Sequence, residues 1–262
     1  MKNSTDTDEI FRRFELLKKN RANWESHWQE IAERILPRST EFVGERSPGD
    51  KRTAVMYDST GALALERFAS AVESLLTPRG ARWHTLRASN PLIDRDDSAR
   101  LWFDAVTDII FRYRYRPAAN FASQMHEGYV QLGAFGNSLL WVDESAQGGT
   151  MYRNTHLSDC YFAEDENGAI DTVYRLMDLS ARQVLRMFED GDLSNAMKRK
   201  GEKAPDDRCQ ILHVVMPRTD RDPTRRDRRN LPWFSGYYEV EDQHLIEEGG
   251  FDELPYIPSR YV

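Results

Sequence analysis

The chain predicts an α+β fold, with helices first and mainly antiparallel strands after them. Three observations carry this. Up to about residue 135 the apolar residues recur at steps of three and four, the spacing of one helix face. From Asn137 onward the pattern shortens to runs of strand length, rich in β-branched and aromatic residues. Glycine pairs and an Asn-Gly step punctuate that second part, as hairpins require. Helices grouped before strands, without alternation, define the α+β class. The change of period places a helical part at 1–136 and a strand-rich part at 137–262.

The first helix shows Ile10, Phe14, Leu17, Trp24, Trp28, Ile31 and Ile35 in register, with Arg21 interrupting the stripe. Residues 5–9 supply N-cap candidates, and Pro37 forces an end near Leu36. Trp24 and Trp28, one turn apart, read either as an exposed docking face or as part of the packed face. A polar loop with Gly44, Pro48 and Gly49 spans Arg38 to Lys51. The second helix starts at Asp58 or Ser59 and carries Leu65, Phe68, Val72 and Leu75 or Leu76 on one face. Ala62, Ala64, Ala69 and Ala71 keep it thin enough for another helix to approach closely. Pro78 closes it. Gly80 is expected at positive φ, turning the chain into a strand-like run at Trp83-His84-Thr85-Leu86. A third helix opens at Asp97-Ser98, shows Leu101, Trp102, Ala105, Ile109 and Tyr113, and stops before Pro117. A fourth runs from about Asn120 to Gly133 with Met125, Tyr129 and Leu132 in register.

Strands are expected at 137–142, 150–154 and 169–176, with Gly148-Gly149 and Asn167-Gly168 as turns. Ser180 with Gln183 three residues on is a capping box that opens a short helix. The tract 198–207 reads as polar and mobile. Two more strands, at 209–216 and 236–246, are joined by an arginine-rich loop.

With 262 residues the chain is long enough to bury roughly 75% of its extended surface. A hydrophobic share of 40% and a charged share of 30% suit a soluble, polar protein. No apolar run approaches the roughly 20 residues a membrane span needs, so no membrane partner is expected. The first ten residues lack an apolar signal region, which points to cytosolic synthesis. Cys160 and Cys209 lie far apart and form no CxxC pair, so no disulfide is expected. The net charge of -7 argues against a surface built to grip nucleic acid, and leaves room for one that surrounds DNA without holding it.

No catalytic or metal-binding pattern emerges. The six histidines are scattered, with no HExxH or zinc-finger spacing. Gly136-Asn137-Ser138 lacks the Gly-Lys ending of a phosphate loop. Asp58 and Ser59 read as a helix cap, since no histidine stands near to activate the serine. Glu164-Asp165-Glu166 and the run from Asp94 to Asp97 read as solvated turns, with a hard cation as the alternative. His84 beside Trp83 reads as a core-edge residue. The reading is therefore of a protein that is no enzyme, with no cofactor and no metal.

Several dispersed segments together carry a resemblance. They include Trp28, Pro37, Tyr57-Asp58-Ser59-Thr60, Pro78, Trp83, Gly133, Gly136-Asn137, Gly249-Gly250-Phe251, Pro255-Tyr256 and Arg260. In these the chain resembles the head-to-tail connecting, or portal, proteins of short-tailed, podovirus-like bacteriophages. The resemblance implies a homo-oligomeric ring, usually of twelve subunits, at one capsid vertex of the virion. Double-stranded DNA is packaged and ejected through it, with capsid, scaffolding, terminase and tail adaptor proteins as partners and the host cytoplasm as the place of assembly. Family members continue beyond the length of this chain, so the expectation is a wing-type region, with stem, clip and crown lying after 262. Trp28, Asp58, Pro78, Trp83 and Gly136 are the expected structural anchors, with Trp83 covering a helix–sheet junction. A monomeric adaptor docking through the tryptophan-bearing helix, or a metal-dependent nuclease, are the alternatives.

The tract 218–230 concentrates Arg218, Arg221, Arg225, Arg226, Arg228 and Arg229 among three aspartates, within an acidic chain. Pro217, Pro223 and Pro232 forbid a helix or a central strand there, so an exposed loop is expected. Three readings stand: a solvated loop, a contact with an acidic neighbouring subunit, or a contact with DNA.

Overall fold

The computed structural model describes residues 6–39, 42–43, 56–145, 148–225 and 227–261. Helices precede antiparallel sheets, as the α+β class requires. Two compact units emerge, Met1–His27 with His156–Pro255, and Trp28–Thr155 with Tyr256–Val262.

The first helix, α1 (Thr7–Ile35), buries Ile10, Phe14 and Trp28 of its predicted stripe, leaves Trp24 exposed, and ends before Pro37. Its residues up to His27 belong to the first unit. There Ile10, Phe11 and Phe14 are buried against Tyr161, Tyr174, Leu212, Val214, Phe234 and Tyr238. These come from a five-stranded antiparallel sheet of β3 (Cys160–Glu164), β4 (Ile170–Ser180), β5 (Arg208–Pro217), β6 (Trp233–Glu239) and β7 (His244–Phe251), in that order. Two short helices, α6 (Ala181–Met187) and α7 (Asn195–Lys203), form a second core with Cys209, Ile211 and Ile246. The Ser180–Gln183 capping box opens α6 as expected. Arg21, the break in the stripe of α1, has an internal use. Its guanidinium donates to the carbonyls of Leu157, Ser158 and Cys160 at 2.8, 2.7 and 2.5 Å and pairs with Glu25. It also lies 3.5 Å from the Tyr161 ring centroid. The cation thus gathers three backbone acceptors around the 3-10 turn Leu157–Asp159, where Leu157 O also accepts from the Cys160 N–H. Cys160 and Cys209 are buried free thiols.

In the second unit, α2 (Thr60–Leu76), α3 (Pro91–Asp94), α4 (Asp97–Arg114) and α5 (Phe121–Phe135) accompany a three-stranded sheet. Its order is β2 (Thr150–Thr155), β1 (Asn137–Glu144) and β8 (Tyr256–Arg260). Trp28 is buried against Phe42, which packs edge-on to Phe135. Asp58 accepts from the Thr60 backbone at 2.8 Å, so it caps α2 while Ser59 makes no side-chain cap bond. Asp96 caps α4 in the same way. Gly136 ends α5 at φ 72, a left-handed position suited to glycine. Among the described residues no helix is long and apolar enough to cross a membrane.

Several expectations need correction. The run from Trp83 to Leu86 joins no sheet; its Leu86 N–H is held instead by Thr107 Oγ1 at 3.1 Å. Gly80 has no positive φ, because Thr77 already turns the chain at the end of α2. Helix α5 runs past Gly133, where a Cβ would press to 2.7 Å from Phe68 and 2.8 Å from Leu65. The glycine is there to let α2 approach. The tract from Lys198 begins inside α7, capped by Ser194 and pinned by buried Met197. The run at 236–246 is a hairpin, β6 to β7, reversed at Gln243 with φ 50. Strands β3 and β8 were not expected from the sequence. Most of the polar loop, Gly44, Pro48 and Gly49 included, lies outside the described residues.

Trp83 therefore anchors helices rather than a helix–sheet junction. Its ring lies parallel to Phe121 and edge-on to Phe111, and its Nε1 donates to Tyr115 Oη at 3.1 Å. Tyr115 in turn donates to the carbonyl of Thr77, just before Pro78. Arg114 lies 4.8 Å from the Trp83 ring centroid. Trp83→Ala is expected to cost about 2–3 kcal/mol, below the range of a fully buried aromatic because Trp83 is half-buried. Chemical denaturation measures it. A loss within about 0.5 kcal/mol, as at an open surface, would show that the cluster holds nothing.

Candidate interaction surfaces

Strand β5 ends at Pro217 and β6 begins at Trp233, leaving 218–232 to connect them. The loop is closed at its base by Arg218 N–H donating to Pro232 O at 2.8 Å. Two aspartates then fold it. Asp222 accepts from the Thr224 hydroxyl at 2.6 Å and its N–H at 3.0 Å, contacts that hold its carboxyl below the usual range. Asp227 accepts from Arg229 N–H, and both of its carboxylate oxygens accept from Asn230 Nδ2. Asn230 Oδ1 accepts from Asp222 N–H at 2.8 Å, joining the two turns. These carboxylates therefore hold backbone, a hydroxyl and an amide within the loop.

The arginines divide by environment. Arg218 contradicts the expectation of a wholly exposed loop, since its side chain is only 4% exposed. Its guanidinium donates to Glu248 Oε1 and to Gly249 O, each at 2.8 Å, and lies 5.1 Å from the Phe234 ring centroid. The physical reason is adjacency. The residue that follows the buried end of the strand, Ile211 to Met216, starts inside, and a carboxylate and a carbonyl of β7 await it there. Gly250 completes the fit: a Cβ there would stand 2.6 Å from Arg228 O and 2.8 Å from Trp233 O. The Gly249-Gly250 pair thus leaves room for the loop backbone and presents an acceptor to its anchor.

Arg221, Arg225, Arg228 and Arg229 are exposed. Arg228 meets Glu247 at 3.5 Å, with both side chains largely in water. Arg226 lies outside the described residues. A pre-folded loop of exposed guanidinium groups is suited to bidentate contacts with carboxylates or phosphates.

The helices of the second unit show a further surface that the sequence reading missed. The stripe of α4 forms as a helix, yet Leu101 is 71% and Trp102 60% exposed, and Thr107 is the buried residue on it. Leu75, Leu76, Leu92 and Ile93 on α2 and α3 are exposed as well. Periodicity reveals that a helix has an apolar face; it does not reveal whether that face is covered. Trp24 and Trp28 divide between the two readings, the first exposed and the second buried. No group of three or more metal-ligating side chains gathers among the described residues.

A family model described as Bacteriophage head to tail connecting protein matches residues 7–262. The Probable portal protein of Bordetella phage BPP-1 is 28% identical over 266 aligned residues, covering 100% of this chain and 48% of that protein. The Portal protein of Salmonella phage epsilon15 is 25% identical over 261 residues, covering 98% of this chain and 47% of that protein. The chain spans about half the length of these curated relatives.

Arg218→Met would leave Glu248 without its buried cation and is expected to cost about 3–5 kcal/mol. Changing Arg221, Arg225 and Arg229 to serine is expected to stay within about 0.5 kcal/mol for each residue. Urea denaturation of the two variants tests the division. Similar losses would mean that Arg218 is no more internal than the others.

Proposed function

The chain belongs to the bacteriophage head to tail connecting protein family, and from this we propose that it acts as a portal subunit. The observation that carries the reading is the reach of the family match, which runs from residue 7 to 262 and takes in both compact units. In this reading copies of the chain form a ring, of twelve subunits, at one vertex of the virion. Double-stranded DNA enters and leaves through it. Capsid and tail adaptor proteins, scaffolding protein and terminase are its partners, and assembly takes place in the host cytoplasm. The chain corresponds to a wing-type region, with 1–136 as its helical part and 137–262 as its strand-rich part.

The geometry agrees with a role in assembly. Large apolar side chains left in solvent on α2, α3 and α4 are surfaces for protein partners. The exposed arginines of the 218–232 loop suit carboxylates of a neighbouring subunit, which an acidic chain supplies. The reading contains no covalent step; His213 contacts Ser235 Oγ at 3.0 Å, and His126 lies between two glutamates.

Gold-labelled antibody against this chain is the test, applied to intact virions and to virions opened at the tail. Label confined to one vertex per capsid, at the tail attachment, is the expected result. Label spread over the shell, or particles that contain none of the chain, would overturn the reading.

A further inference from the structure

His126 lies on α5 where that helix meets α2, and both of its ring nitrogens face carboxylates. Nδ1 is 2.8 Å from Glu73 Oε2 and Nε2 is 3.2 Å from Glu66 Oε2. A neutral imidazole has a single N–H, and a carboxylate only accepts. Both contacts are hydrogen bonds at the same time only when the ring carries two protons. The glutamates sit seven residues apart on α2, at opposite edges of the ring, so they bracket the ring and do not converge on a shared ion.

The surrounding charges leave this bracket intact. Arg38, in the 3-10 turn after α1, meets Glu66 at 3.3 Å, and Arg79, beyond the end of α2, meets Glu73 at 3.1 Å. Each arginine uses the Oε1 of its glutamate, which leaves Oε2 to the histidine. Glu73 and Glu66 are the charged groups that act on the ring.

We propose that His126 is a proton-operated latch between α2 and α5. Protonated, it ties both glutamates of α2 to α5; deprotonated, it keeps one and releases the other. The helix pair stays together when the latch opens, because Thr77 Oγ1 still meets Tyr129 Oη at 3.0 Å and Gly133 still receives Leu65 and Phe68. What changes is how firmly α2, with Leu75 and Leu76 in solvent, is held.

Burial disfavours the charged ring, yet the hydrogen bonds to Glu73 and Glu66 outweigh it, and the pKa of His126 is raised above 6.5. The sign follows from linkage. A folded-state pKa above the unfolded value gives stability that is complete below 6.5 and is lost as pH rises through the folded pKa.

Amide hydrogen exchange of α2 in the whole chain, with and without His126→Gln, reads the latch directly. At about pH 5.5 the variant is expected to exchange about fivefold faster along α2 than the parent, and at a pH well above the ring's own titration midpoint at the same rate. An equal acceleration at both pH values would mean that the imidazole only fills space, and no change at either would mean that it holds nothing. Titration of the His126 ring by NMR in the parent protein decides the matter even if the variant folds poorly. A midpoint above 6.5 that falls on Glu73→Gln is expected; a midpoint at or below 6.5 would overturn the latch.

Discussion

From Ile211 to Met216 strand β5 is buried on both faces, and much of the first unit follows from that constraint. Leu212, Val214 and Met216 face the core made with the start of α1, while Cys209 and Ile211 face the core made with α6 and α7. A strand enclosed in this way reads as a nearly continuous apolar run, and any polar group on it must be satisfied inside the protein. His213 meets this demand. Its Nε2 lies 3.0 Å from Ser235 Oγ and its ring stacks on Tyr237 with centroids 4.1 Å apart. Burial, and then the nearby Arg175, push its pKa down to about 3, so it remains neutral at ordinary pH.

The same constraint extends past the end of the strand. Pro217 closes the ladder against Trp233, and Arg218 is delivered into the interior with its charge intact. A guanidinium there is stable only with a carboxylate and further acceptors around it, which Glu248 and Gly249 supply. Once the base of the loop is fixed by this contact, Asp222, Asp227 and Asn230 fold the remainder, and the other described arginines face outward. Arg21 offers a parallel within the same unit, a cation drawn inward to serve three backbone carbonyls. In both cases the arginine combines a carboxylate with backbone carbonyls.

The sequence made some of this legible. The helix of α1, the stop at Pro37, the glycine turns and the Ser180 capping box are local patterns, and each folds as its chemistry dictates. The β6–β7 reversal was hidden because Val240-Glu241-Asp242-Gln243 contains no glycine, proline or asparagine. The loop character of the arginine tract was readable from its prolines. Its sorting was not, because the partner of Arg218 lies 30 residues further along the chain. The exposure of α4 was equally hidden, since its spacing matches that of a buried helix. The capping role of Asp58 was legible because capping is local; the partners of Trp83 were not, because Phe121 and Tyr115 approach from other parts of the chain.

The central claim is that one arginine of the tract is held inside while the others are displayed. Side-chain nitrogen NMR of the arginine guanidinium groups measures this most directly. Arg218 is expected to show separate, slowly exchanging Nη signals, because two acceptors at 2.8 Å hinder rotation of its head group. Arg221, Arg225 and Arg229 are expected to give averaged, rapidly exchanging signals. Arg218 signals as averaged as those of its neighbours would contradict the account.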